Sequence, residues 1–287
     1  MKTSLLGAHV SIAGGFTNAC LHAKNTGSNA VQIFTKNQLQ WSASDLTPDE
    51  ISSFKKCAVD ENLTVAAHIS YLVNLGSTDE SIKEKSILGF VNEINRCRLL
   101  GIKYLVFHPG SNKLLTEKET IDLIAVNLNG IINQTAGYKD VILVLETTAG
   151  QGSQIGHRLE HIAEIIELNG NNERLCVCID ICHIFAAGYD IRTLSEYDKF
   201  MNNFEDIIGF NKLKVMHLND SLKPIGSKVD RHAPIGKGFI GLDAFRFIVN
   251  DARLKNILMI VETPGADKEH KIDLDILKGM IKKIRKD

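Results

Sequence analysis

Along this chain, short apolar runs rich in β-branched residues alternate with longer stretches in which apolar positions recur every three or four residues. The short runs predict strands at Ser4–His9, Ala30–Phe34, Leu63–His68, Tyr104–His108, Val141–Glu146, Cys176–Asp180, Lys214–His217 and Leu258–Glu262. Between them the helical period predicts Phe16–Asn25, Pro48–Glu61, Ser81–Leu100, Glu117–Ala136, Leu159–Leu168, Ser195–Ile208 and Leu242–Val249, with Lys271–Ile284 closing the set. Thr47 before Pro48, with Glu50 in the first turn, marks a helix start, and Gly101 after Leu100 marks a helix end. Strand–helix alternation repeated about eight times predicts the α/β class, as a single (β/α)8 TIM barrel filling residues 1–287 as one domain. The longest irregular stretch, Asn219 to Gly241, is long enough to be a functional loop.

The strands end on chemistry. His9, His68, His108, Glu146, Asp180, His217 and Glu262 close seven of the eight runs. In a parallel barrel the carboxyl ends of all strands meet at one rim, so these residues are predicted to share one pocket there. A single strand-end histidine is ordinarily a hydrogen-bonded structural residue. A ring of imidazoles and carboxylates crowds lone pairs and like charges, and cations relieve that cost. Two segments extend the set: CIDICH, in which His183 follows Asp180 on a predicted loop, and VDRHAPIGKG, in which Asp230 and His232 stand two apart and point the same way if extended. Nitrogen and carboxylate donors suit zinc, with manganese or iron as substitutes. Cys176, Cys178 and Cys182 lack a CxxC spacing and read as buried core thiols. The glycines at Gly14, Gly15 and in TTAGQG (Thr147–Gly152) allow close backbone approach, but form neither a Walker nor a dinucleotide fingerprint.

Composition changes this picture little. The 287 residues are 44% hydrophobic and 23% charged, ordinary globular values. A formal net charge of −1 lacks the bulk basicity of many nucleic-acid binders, so any such partner must be met by a local patch or by bound metal ions. Six scattered cysteines and no apolar run near the length needed to cross a bilayer predict a soluble, reduced, cytoplasmic protein with no membrane partner.

The segments GAHVSIAGG (Gly7–Gly15), FTKNQ (Phe34–Gln38), FHPGS (Phe107–Ser111), LETTAGQG, CIDICHIFAAGYD, HLNDS and DRHAPIGKG together resemble the endonuclease IV family of apurinic/apyrimidinic endonucleases, in order and over almost the whole chain. The resemblance implies a xylose-isomerase-like TIM barrel with three zinc ions. One would be held by His68, His108 and Glu146, a second by Glu146, Asp180, His217 and Glu262, and a third by His183, Asp230 and His232. It implies double-stranded DNA with abasic sites as partner, a monomer, and catalytic roles for Glu146 and Glu262. Zinc-acidified water would attack phosphorus on the 5′ side of the abasic site, leaving a 3′ hydroxyl and a 5′ deoxyribose phosphate. Side chains that enter the duplex map onto Tyr71 and Leu72 and onto the segment after Lys36, with Lys36 itself a DNA contact. The chain departs from many bacterial relatives at Leu39, where they carry arginine, and at Thr147, where they carry asparagine. His9, Ser11 and Asn219 would line the site. Two other readings stay open: a metal-dependent sugar isomerase or epimerase on a related barrel, and a catalytically silent DNA-damage binder. The third ligand group separates the first of these from a nuclease.

Overall fold

A computed structural model describes residues 5–282. Eight parallel strands close into a barrel: β1 (Leu5–His9), β2 (Ala30–Phe34), β3 (Thr64–His68), β4 (Tyr104–Phe107), β5 (Ile142–Glu146), β6 (Leu175–Asp180), β7 (Leu213–His217) and β8 (Leu258–Val261). Each strand pairs with its sequence neighbours, and β8 closes the ring onto β1 through Leu5↔Leu258 to Ala8↔Val261. Outside lie α1 (Asn18–Thr26), α2 (Pro48–Asp60), α3 (Glu80–Leu100), α4 (Glu117–Gln134), α5 (Leu159–Leu168), α6 (Ile181–Ala187), α7 (Leu194–Ile207), α8 (Leu242–Val249) and α9 (Asp267–Met280). This is a (β/α)8 TIM barrel, as the periodicity predicts. Ser4, and residues 283 and 284 of the expected last helix, lie outside the described residues.

Two apolar layers hold the barrel. Leu105, Phe107, Leu143, Leu145, Val177 and Ile179 face outward and pack beneath helices through residues such as Phe90, Ile94, Ile124, Leu128 and Ile162. Inside, Ala30, Ala66, Val106, Val144, Cys178, Val215, Leu258 and Ile260 form a separate, fully buried cluster of mostly small side chains. A side-chain period of two then dictates what stands above it. Ala66 is followed two residues on by His68, Val106 by His108, Val144 by Glu146, Cys178 by Asp180, Val215 by His217 and Ile260 by Glu262. The apolar filling of the barrel thus becomes the floor of a polar rim. Tight closure shows at Gly7, where a Cβ would stand 1.6 Å from the Ala30 carbonyl oxygen.

Three expectations need correction. His183 is not in a loop: Asp180 caps α6, accepting the His183 N–H at 2.9 Å, so the last strand residue starts a helix of seven residues. The stretch from Asn219 to Gly241 is not wholly irregular, since Asp220–Ser221 pairs antiparallel with His232–Ala233. Cys20 of α1 and Cys57 of α2, expected to be free thiols, are joined in a disulfide with Cα atoms 6.4 Å apart, whereas Cys97, Cys176, Cys178 and Cys182 are free and buried. The side-by-side placement of the first two helices, which no local pattern encodes, brings the first pair together. Among the described residues no helix is long and apolar enough to cross a membrane.

Candidate metal centre

The strand ends place six of the nine candidate ligands on one rim, and α6 and the loop after β7 bring in His183, Asp230 and His232. Glu146 is central. Its Oε2 lies 3.0 Å from His68 Nε2 and 3.3 Å from His108 Nε2, and its Oε1 lies 2.9 Å from His217 Nδ1. Around His217 Nδ1 also stand Glu262 Oε2 at 3.1 Å and Asp180 Oδ2 at 3.7 Å. On the far side, His183 Nε2 is 3.0 Å from Asp230 Oδ2, and His232 Nε2 is 3.2 Å from Asp230 Oδ1. His68, His108 and Glu146 converge within 4.8 Å, as do His183, Asp230 and His232, while Glu146, Asp180 and Glu262 gather round His217, Glu146 facing His68 and His217 with different oxygens.

The tautomers carry the chemical information. His68 Nδ1 donates to the Ile69 carbonyl at 2.8 Å, His183 Nδ1 to the Thr147 carbonyl at 2.8 Å, His232 Nδ1 to the Glu262 carbonyl at 3.2 Å, and His217 Nε2 to Gln32 Oε1 at 2.9 Å. Each ring thus spends its outer N–H on a carbonyl or amide oxygen, and in its neutral form aims a lone pair inward at a carboxylate. That arrangement is repulsive unless a cation stands between, and it is how metal-bound histidines are ordinarily oriented. His232 Nε2 is buried and faces Asp230 Oδ1 at 3.2 Å without a well-aligned hydrogen bond. The donor set fits divalent metal.

Electrostatics agree. Burial opposes charge on His183, but Asp180, Asp230 and Glu146 outweigh it and hold its pKa well above the usual value. Burial likewise opposes charge on His232, yet Asp230 and Asp180 push its pKa up to about 9. For Glu146, burial is overcome by His217 and His108, and its carboxyl stays well below the ordinary range. The pocket stabilises positive charge among fixed carboxylates.

Asn219, expected to line the site, donates from Nδ2 to Asp180 Oδ2 at 2.7 Å and accepts the Glu262 N–H on Oδ1 at 2.7 Å. His9 Nδ1 lies 3.1 Å from Glu262 Oε1, whereas Ser11 Oγ is engaged by the Ala13 N–H in its own turn. Gln32 carries no expectation from the sequence motifs, although a lone polar residue in the run AVQIF is a readable signal. Its Nε2 donates to Glu262 Oε1 at 2.6 Å while its Oε1 takes the His217 proton, so one amide orients two candidate ligands. Thr147 also acts here, its Oγ1 accepting the Asp180 N–H at 3.0 Å.

Of the expected DNA contacts, Tyr71 is 58% exposed, with its ring 5.6 Å from that of His68 and 6.4 Å from that of His108. Leu72 is partly exposed beside it, and Leu39 stands out on the neighbouring loop. Lys36 is different. Its ammonium is buried, paired with Glu93 at 3.3 Å and donating to the Gln40 carbonyl at 2.8 Å, so its charge is spent inside the protein. Glu93 also accepts from Thr35, and Arg96 donates to the Thr35 and Ser44 carbonyls, so this network shapes the loop after β2. A cavity of about 460 Å³ opens between that loop and the one after β1, lined by His9, Ser11, Ile12, Phe34, Asn37 and Gln38 among others.

Comparison with known proteins follows the same lines. The xylose isomerase-like TIM barrel family matches residues 20–280. A protein described as probable endonuclease 4 from Chloroflexus aggregans is 42% identical over 282 residues, covering 96% of this chain and 97% of that protein. A probable endonuclease 4 from Campylobacter fetus is 46% identical over 262 residues, covering 90% of this chain and 92% of its own. The crystal structure of endonuclease IV from Thermus thermophilus superposes with a TM-score of 0.86 at 32% identity, covering 96% of this chain and 98% of that one. A D-tagatose 3-epimerase-like protein shares the fold, with a TM-score of 0.72 at 19% identity over 97% of both chains.

Proposed function

The chain belongs to the endonuclease 4 family, and from that premise we propose that it is a zinc-dependent enzyme that hydrolyses the phosphodiester bond 5′ to abasic sites in duplex DNA. The observation that carries the proposal is the set of three adjoining donor groups, His68–His108–Glu146, Glu146–Asp180–His217–Glu262 and His183–Asp230–His232, with inward lone pairs fixed by outer hydrogen bonds. When bound there, divalent ions supply Lewis acidity that acidifies water and neutralises phosphate charge.

The chain's own groups do the rest. Glu146 faces two donor groups with its two oxygens and so fixes their spacing. Glu262 is held by Gln32 and His9 on one oxygen and turned to His217 with the other. Burial opposes its ionisation, but His217 and His9 keep its carboxyl well below the ordinary range, so at neutral pH it is an anion that would help hold the ion acidifying the attacking water, whose proton passes to solvent. As the new bond to phosphorus forms, the bond from phosphorus to the upstream 3′ oxygen breaks, giving a 3′ hydroxyl and a 5′ deoxyribose phosphate. A site without its base offers no edge to read, and its unstacked sugar costs less to extrude. The cavity beside His9 has room for that sugar. Tyr71 and Leu39, exposed, and Leu72, partly exposed, offer apolar surface suited to filling the gap left in the duplex. Lys36 lines the same cavity, and its ammonium, paired with Glu93, would shape the loop that meets DNA rather than supply a free charge.

A sugar epimerase on the same fold is the competing activity, and the third donor group discriminates. A sugar-acting mononuclear or binuclear centre has no evident use for Asp230 and His232. Replacing His232 with alanine is expected to cut incision of a duplex carrying one abasic analogue by a hundredfold or more, on the order of the loss seen when a catalytic electrostatic group is removed. Undiminished incision in that variant, or ketose epimerisation by the parent protein, would count against the nuclease reading.

A further inference from the structure

A second cluster of imidazole and carboxylate lies away from the strand ends, where the first turn of α4 meets the turn leading into α5. Glu117, the first residue of α4, extends its carboxylate over two rings: Oε1 is 3.4 Å from His157 Nε2 and Oε2 is 3.4 Å from His161 Nε2. The rings meet edge to face with centroids 4.8 Å apart. His161 is 6% exposed and His157 13%, while Glu117 is 55% exposed and open to solvent. None of these residues belongs to the rim, and the proposed reaction does not use them.

We propose that Glu117, His157 and His161 form a further divalent transition-metal site, with zinc the best-suited ion. The spacing is that of a metal shell. With bonds of about 2.0–2.1 Å, ligand atoms around a tetrahedral zinc stand roughly 3.3 Å apart; each imidazole nitrogen lies 3.4 Å from a different oxygen of Glu117, so a small turn of the exposed carboxylate presents one oxygen to both. All three donor atoms lie within 4.8 Å of one another. His157 is oriented as a ligand would be, since its Nδ1–H donates to the Gln154 carbonyl at 3.0 Å and leaves an Nε2 lone pair pointed at the carboxylate. His161 is kept neutral, its pKa lowered by burial and by the neighbouring His157. Its Nδ1 accepts the Gly156 N–H at a long 3.4 Å, so metal capture moves the ring proton from Nε2 to Nδ1 at the expense of one weak contact. A cavity of about 210 Å³ beside Glu117 and His157, lined also by Asn112, Thr120, Gln154 and Lys228, admits the ion and leaves its fourth position to water.

The site would act as a staple. Gly150 has φ +75°, and a Cβ there would stand 2.9 Å from His157 Cγ, so the TAGQG turn packs directly on this ring. In the same turn Gln151 Oε1 accepts the Asp230 N–H at 3.0 Å, and Thr147 accepts from His183. A metal ion holding α4 to the start of α5 therefore braces the segment that supports the third donor group of the rim.

The test is a metal count by difference. Wild-type protein, Glu117→Gln and His157→Gln are equilibrated with a small excess of zinc, desalted and assayed for zinc per chain by plasma mass spectrometry. Glu117 is exposed and His157 partly buried, and circular dichroism confirms that each variant is folded. The wild type is expected to retain one more zinc than either variant, and to lose more thermal stability than they do on chelation. Equal zinc content in all three proteins, whatever the number bound at the rim, overturns the proposal and leaves the cluster a hydrogen-bonded triad.

Discussion

Gln32 shows how much of the rim depends on a residue that binds nothing itself. Its amide carries the His217 proton on one side and grips Glu262 on the other, so it fixes a tautomer and a carboxylate orientation together. Replacing it with leucine keeps the volume close and removes both hydrogen bonds. The expected result is a 10- to 100-fold loss in metal affinity or in kcat, roughly the usual cost of losing such a support, with the melting temperature of the metal-free protein changed far less. A variant that binds zinc and turns over like the parent would show that the rim orients itself. Lys36 teaches the opposite lesson. The family resemblance makes Lys36 a DNA contact. Its partner Glu93 lies far along the chain on α3, so the pairing that consumes its charge is invisible until the chain is folded. Six of the nine candidate ligands were legible because strand period places them at strand ends; His183, Asp230 and His232 lie off the barrel strands, and Lys36 and the disulfide partners take their environment from helices packed around the barrel.

At the scale of elements, the helix boundaries read from the chain hold to within two residues except in α9, which starts at Asp267, four residues before the expected Lys271. The α2 and α4 helices each start on a threonine whose hydroxyl accepts the third N–H while a glutamate returns the bond. What escaped was α6, seven residues whose cap is Asp180 itself. A residue already assigned to a strand end and to a metal group gave no separate signal as a helix start. Two long-range ties fix other elements. The carboxylate of Asp220 accepts the N–H groups of Gly238 and Ile240 and so folds the loop holding Asp230 and His232 back on itself. Asp251 ties the start of the last βα unit to α7, accepting from Tyr197 at 2.8 Å and from Arg253 at 2.6 Å. Burial raises the Asp251 pKa, but Arg253 and Tyr197 outweigh it and hold it below the ordinary value of 3.8. A depressed carboxylate stabilises the fold above its unfolded pKa and loses that contribution as pH falls through the folded value. Asp251→Asn should therefore lower the melting temperature by several degrees at pH 7, corresponding to about 1.5–3 kcal/mol for hydrogen bonds to a charged group. Measured by calorimetry at steps down to about pH 3, that deficit should shrink once the pH drops below the ordinary aspartate value. A deficit that stayed constant or grew would remove the ionised carboxylate from the account.

For the whole molecule, the barrel does two things at once. It fills its interior with small apolar side chains, and by the same alternation it raises a crown of imidazoles and carboxylates at the ends of most of its strands. This convergence is what lets residues from His68 to Glu262 act as one group, and it was predictable because strand ends in a parallel barrel share one face. Net charge was a weaker guide. At −1 the chain has no excess of basic residues with which to hold a polyanion, and several positive charges placed among the rim carboxylates would change the sign of that face. On the proposed function, metal loading is a condition both for DNA engagement and for chemistry. The most direct test is incision of a duplex oligonucleotide carrying a single tetrahydrofuran abasic analogue, by protein stripped of metal with a chelator and by the same protein reloaded with zinc, beside an undamaged duplex. The expected result is cleavage on the 5′ side of the analogue by the reloaded protein only, with the undamaged duplex intact. No incision by fully loaded protein, or equal incision by the stripped protein, would contradict it.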